Sequence, residues 1–86
     1  MKYRSRTDIV VQILHAANGN GANKTKIMYK AYLSYGQLKE YLSVLIANDL
    51  LEENQTEKLY RITQKGSKFM RIYQHMDELT GPLQNT

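Results

Sequence analysis

The stretch whose side chains could do chemistry is Ser34 to Asn48, SYGQLKEYLSVLIAN. Set at about 100° per residue, Leu38, Tyr41, Leu42, Leu45 and Ile46 gather on one side, and Gly36, Lys39, Glu40, Ser43 and Ala47 on the other. A helix with one apolar and one small, polar face has something to bury and something to offer. Such a face can be laid against base edges, so the base-facing candidates are Tyr35, Gly36, Gln37, Lys39, Glu40 and Ser43. Gln37 has two possible uses. Its amide can pair bidentately with adenine, or it can return a bond to Ser34 in a capping box. Glu40 repels phosphates yet could accept from a cytosine amino group. The phosphate candidates are Lys24, Lys26 and Lys30 just upstream, Lys58 and Arg61 downstream, and Arg4 and Arg6 near the start. Each of these cations equally suits a solvated surface.

The elements that must position these groups follow from spacing. Ser5 and Asp8 mark the start of a first helix, from about Arg6 to Ala17, whose apolar positions are Ile9, Val10, Ile13, Leu14 and Ala17. Asn18-Gly19-Asn20-Gly21 ends it as a C-cap and loop. Asn23 caps a short helix, Lys24 to about Ala31, with Ile27, Met28 and Ala31 inward and the three lysines outward. Tyr32-Leu33 connects it to the helix that Ser34 caps. Two short segments around Leu50 to Asn54 and Leu59 to Ile62 predict a β-hairpin, although its turn lacks glycine. Thr63 caps a last helix from about Gln64 to Leu79, in which Phe69, Ile72, Tyr73, Met76 and Leu79 form a stripe suited to dimerisation. Thr80-Gly81-Pro82 is read as its stop and residues 81–86 as a flexible tail, leaving a single domain over residues 1–80.

Composition narrows the function classes. At 86 residues the chain holds one small domain with a modest core. It lacks cysteine, and its two histidines are far apart, so neither a disulfide framework nor a metal cluster is expected. Twelve Lys and Arg against eight Asp and Glu give +4, which favours a polyanionic partner. Before Asp49 the only acids are Asp8 and Glu40, so the positive charge lies toward the first half. Nothing resembles a signal peptide or a membrane span, and a cytoplasmic location is expected, at the nucleoid for a DNA binder. No paired nucleophile and base or phosphate-cradling glycine motif is present; neither an enzyme, a cofactor nor a small-molecule ligand is indicated. Tyr29, Tyr32, Tyr41 and Tyr73 fall on or beside apolar stripes and are expected to pack, which speaks against stacking on RNA bases. His15, near a helix end, is read as a surface or dipole partner.

The run Lys24-Thr25-Lys26-Ile27-Met28-Tyr29, Ala31, Leu33-Ser34-Tyr35, then Tyr41 and Leu45, resembles the small archaeal winged-helix DNA-binding proteins of this ten-kilodalton size. Tyr60-Arg61-Ile62-Thr63-Gln64-Lys65-Gly66 resembles their join between wing and last helix. The resemblance implies a mainly α fold with a small hairpin: a winged helix-turn-helix plus a C-terminal dimerisation helix. It also implies a homodimer that binds double-stranded DNA in transcription-regulating or chromatin-associated roles. The sequence departs from that family in the early stop at Gly81-Pro82, and in Glu40 and Ser43, where stronger binders have basic groups. The alternative is a winged helix serving protein–protein interaction, with weak or no DNA affinity; Glu40, Glu52, Glu53 and Glu57 favour it.

Overall fold

The computed structural model describes residues 4–84, with side chains described as far as residue 76. The elements run α1 (Arg6–Ala16), α2 (Lys24–Ala31), α3 (Tyr35–Ala47), β1 (Leu51–Asn54), β2 (Leu59–Ile62) and α4 (Gln64–Gln84). Each of the first three helices begins where a side chain supplies the missing acceptor. Ser5 and Ser34 form reciprocal capping boxes with Asp8 and Gln37, and Asn23 accepts from the Lys26 amide. The core is where their apolar faces meet: Ile13 and Leu14 of α1, Ile27 of α2, Leu38 and Leu45 of α3, and Leu51 of β1 are almost wholly buried. Ile46, placed on the α3 stripe by periodicity, lies at its margin and is exposed.

The hairpin pairs antiparallel with Leu51 opposite Ile62 and Asn54 opposite Leu59. Its turn needs no glycine, because Asn54 Oδ1 accepts from the Glu57 amide at 3.0 Å and Lys58 takes the left-handed conformation at φ 57°. A further bridge joins Ala22 to Tyr60, with backbone bonds of 2.9 and 2.8 Å, so β2 is flanked on both sides. The β2–α4 junction then closes onto the turn after α3. Thr63 donates through its amide to Leu50 O and through its hydroxyl to Asp49 O, and Lys65 Nζ donates to Asn48 O. Gly66 lies against the same turn; a β-carbon there would stand 2.2 Å from Leu50 O.

The backbone of α4 corrects the expected stop at Leu79 and tail from residue 81: the helix continues through Gly81 and Pro82 to Gln84. Proline removes one bond and glycine costs about 1 kcal/mol, but a helix already long gains a bond with each added residue, so local punctuation near its end can be overridden. The dimerisation stripe is also divided. Phe69 and Tyr73 pack against the chain's own core, whereas Ile72 and Met76 are exposed. The side chain of Leu79 lies outside the described residues.

Tyr73 also donates its hydroxyl to Asp8 Oδ1, tying α4 to the α1 cap. That bond, with those from Ser5 and the charge of Arg4, holds the Asp8 carboxyl below its usual 3.8. A depressed folded-state pKa adds stability that is complete above the unfolded value and is lost as pH falls through the folded one. Thermal melts are therefore expected to drop as pH falls from about 4 toward 2. In Asp8→Asn this group's part of the drop should be gone, the variant starting lower at neutral pH. An unchanged acid limb in Asp8→Asn would contradict this role.

Candidate nucleic-acid interface

Ser34 Oγ accepts from the Gln37 amide at 3.2 Å, and Gln37 Oε1 accepts from the Ser34 amide at 3.0 Å. Of the two uses open to Gln37, the structure shows the capping box formed. Bidentate adenine pairing would have to share the oxygen that already accepts from Ser34, which leaves the amide NH2 as the better-placed group for an outside partner. Beyond this cap, Gly36, Lys39, Glu40 and Ser43 are all exposed along α3. A β-carbon on Gly36 would meet nothing within 4 Å, so the fold itself does not require glycine there. Tyr35 is 54% exposed, with Lys24 Nζ 6.0 Å and Lys39 Nζ 5.6 Å from its ring centroid. The quadrupole of the ring draws both ammonium groups to the start of α3.

Val44 is a member of this face that periodicity left unassigned; it is 55% exposed. Its position four residues after Glu40 was the available signal, since that spacing returns to the same helix side. In a major groove an exposed valine is matched to a thymine methyl group.

Lys24, Lys26 and Lys30 are exposed along α2, as the sequence predicts. The other cations divide. Arg4 is not available to a phosphate: its guanidinium donates to Ala31 O and Tyr32 O at the end of α2, and to Gln12 Oε1. The fork geometry of arginine satisfies carbonyls that the helix end leaves open, which outweighs its value as a free charge. Arg61 is paired with Glu57 at 2.9 Å, so the wing's positive charge is partly cancelled in place. Lys58 is exposed at the hairpin tip, and Arg6 stands exposed at the start of α1, on an element separate from the α2–α3 face.

The tyrosines require a second correction. Tyr41 and Tyr73 pack against the core as expected, but Tyr29 is 72% and Tyr32 80% exposed. Tyr29 falls on the side of α2 away from Ile27 and Ala31, and Tyr32 lies past the helix end, where the periodic pattern no longer assigns a side. His15 meets Gln74 of α4 at 2.9 Å. Between the start of α2 and the hairpin lies an open groove of about 560 Å³, lined by Lys24, Lys58, Glu53 and Glu57 among others. Its mixed charge gives it no preference for an anion. Among the described residues no group of His, Cys, Asp and Glu could hold a metal ion, and no helix is long and apolar enough to cross a membrane.

A family model described as winged helix-turn-helix matches residues 3–81. The chain belongs to this family. In its terms α2 and α3 are the helix-turn-helix and the β1–β2 hairpin is the wing. The winged helix is 30% identical over 76 residues to an uncharacterized protein of Methanocaldococcus jannaschii, MJ0287, covering 88% of this chain and 73% of that one. A second uncharacterized protein of the same archaeon, MJ0290, is 29% identical over 79 residues, 92% of this chain; the match spans 36% of that longer protein. Among solved structures, Sso10a-2, a DNA-binding protein from Sulfolobus solfataricus, superposes with a TM-score of 0.80 at 22% identity, covering 95% of this chain and 87% of that one. The expected fold, four helices with a two-stranded wing, is thus the fold observed.

Proposed function

We propose that this winged helix binds double-stranded DNA, laying the exposed face of α3 in the major groove while Lys24, Lys26, Lys30 and Lys39 contact phosphates. The observation that carries this reading is the α2–α3 surface itself. It bears four lysines against one acid, Glu40, and the exposed residues of α3 serve no purpose in the core. Membership of a winged helix-turn-helix family and the likeness in fold to a DNA-binding protein support it. Base selectivity on this reading is modest. It rests on Glu40, Ser43, Val44 and the Gln37 amide, because Gln37 is committed to its cap. The molecule acts as a homodimer through the outward side of α4, in a transcription-regulating or chromatin-associated role, at the nucleoid.

A second reading, a protein-interaction module, draws on the exposure of Val44 and Ile46 and on Glu52, Glu53 and Glu57 in or beside the wing. A salt series separates the two. Anisotropy of a labelled random duplex is expected to show log affinity falling linearly with log salt, with a slope near −3.6 for four phosphate contacts at about −0.9 each. Absence of binding at low salt would leave the interaction module as the reading to pursue.

A further inference from the structure

We propose that the turn between α2 and α3 is a stacking platform for single-stranded DNA, with bases on the open rings of Tyr29 and Tyr32 and phosphates on the lysines around them.

Two observations single out these rings. The first is exposure without internal use. Among the described residues no hydrogen bond or ring contact engages the side chain of Tyr29 or Tyr32, and both are more exposed than any other large apolar or aromatic side chain described. The second is the backbone of Tyr32. Its φ of 54° and ψ of 52° are left-handed, and the turn is closed by Leu33 N to Met28 O and Tyr32 N to Tyr29 O. A helix end closed in this way ordinarily carries glycine, because a β-carbon disfavours that conformation. The chain instead keeps a tyrosine there, with its ring turned to solvent and Arg4 bonded to the Tyr32 carbonyl. Strain retained for a side chain that the fold does not use points to a role outside the fold.

The charge around the rings identifies the occupant. Lys26 and Lys30 share the outer side of α2 with Tyr29, and Lys24 and Lys39 are held over Tyr35. Tyr35 therefore serves to place two ammonium groups, and the rings left open are Tyr29 and Tyr32. Cations alternating with free π faces match an unpaired strand, which offers a phosphate and a base face at every step. A duplex keeps its base faces stacked inside, and an apolar protein partner would gain nothing from four lysines. The commitment to a deoxy strand rests on the duplex-DNA reading above, since the platform adjoins the start of α3, the helix that reading lays on DNA.

The test uses the full chain and labelled oligothymidylate of about a dozen nucleotides, a length within single-stranded site sizes. Tyr29→Ala and Tyr32→Ala are each expected to weaken binding roughly tenfold, as the loss of one base–aromatic stack does. Tyr29→Phe and Tyr32→Phe should stay close to the wild type. Tyr32→Gly should melt no lower than the wild type and still lose the affinity, which separates function from folding. The proposal is overturned by oligothymidylate that does not bind at low salt, or by alanine variants that bind it unchanged. It is equally overturned by phenylalanine variants that lose as much as alanine, which would mean a hydroxyl–phosphate bond. Tighter binding of the matching ribo-oligonucleotide would overturn the assignment to DNA. Random-duplex titrations run alongside judge the major-groove reading separately, because that reading is argued from the exposed face of α3 and the lysines and assigns neither ring a contact.

Discussion

Changing Lys24, Lys26 and Lys39 together to glutamate is expected to abolish measurable duplex binding. A phosphate contact that releases one counterion is worth about fifteenfold in affinity near 50 mM salt, so losing three costs roughly three thousandfold before added repulsion is counted. The slope of log affinity against log salt should fall by about 2.7 at the same time. All three side chains are exposed and none caps a helix or joins an ion pair among the described residues, so the fold should not suffer. Circular dichroism and melting check that, and the self-association proposed for α4 should be unaffected, as should any partner complex formed there. A triple variant that binds duplex within a few-fold of the wild type would sink the phosphate-contact reading, because no comparable cluster of uncommitted cations is present on the described part of the wing. Arg61 is already paired with Glu57 and Arg4 with the end of α2.

Gly66→Ala should meet the tightest contact of any alanine substitution at the described glycines, and should cost stability accordingly. Its β-carbon would fall 2.2 Å from Leu50 O and 2.9 Å from Ile62 Cγ1. The first of these is backbone, held by the Thr63 amide at 3.1 Å, and cannot rotate aside. Overpacking of this kind costs about 1–3 kcal/mol or more, and at about 4–8 °C per kcal/mol in so small a domain the melting temperature should fall by about 10–20 °C. Gly36→Ala is the paired control. The added methyl meets open space in a helix, so the variant should be at least as stable as the wild type, by up to about 1 kcal/mol, and melt no lower. Equal melting temperatures for the two variants would show that the junction can yield where the structure gives it no room.

These two glycines show what the chain discloses and what it withholds. Helix starts were legible because each rests on a local signal, a Ser, Asn or Thr whose side chain accepts from the amide three positions on, and all four such caps are formed. The buried face of α3 was legible for the same reason, since one period places Leu38, Leu42 and Leu45 together. Gly36 and Gly66 look alike in sequence, yet one is free of contacts and the other is wedged against a turn sixteen residues away. Long-range assignments failed in the same manner. Arg4 reads as an open cation until α2 ends 27 residues later with carbonyls for it to bind, and Tyr32 reads as packed until the helix stops beneath it. The end of α4 is not legible from Gly81 and Pro82, because helix continuation outweighs that local punctuation. Which cations were committed internally was a property of tertiary contacts and could not be read from charge.

The bridge between Ala22 and Tyr60 has a mechanical consequence. It fastens the wing to the segment leading into α2, so that, on the duplex-binding proposal, α3 and the hairpin tip would act as a gauge of fixed span rather than as two independent fingers. A duplex laid across both must supply whatever accommodation is needed, by bending or by changing its groove width. The energy of that deformation varies with base sequence even where no side chain touches a base. Preference among DNA sites would then be set in part by which sequences bend cheaply to the gauge, at positions between and beyond those that α3 reads.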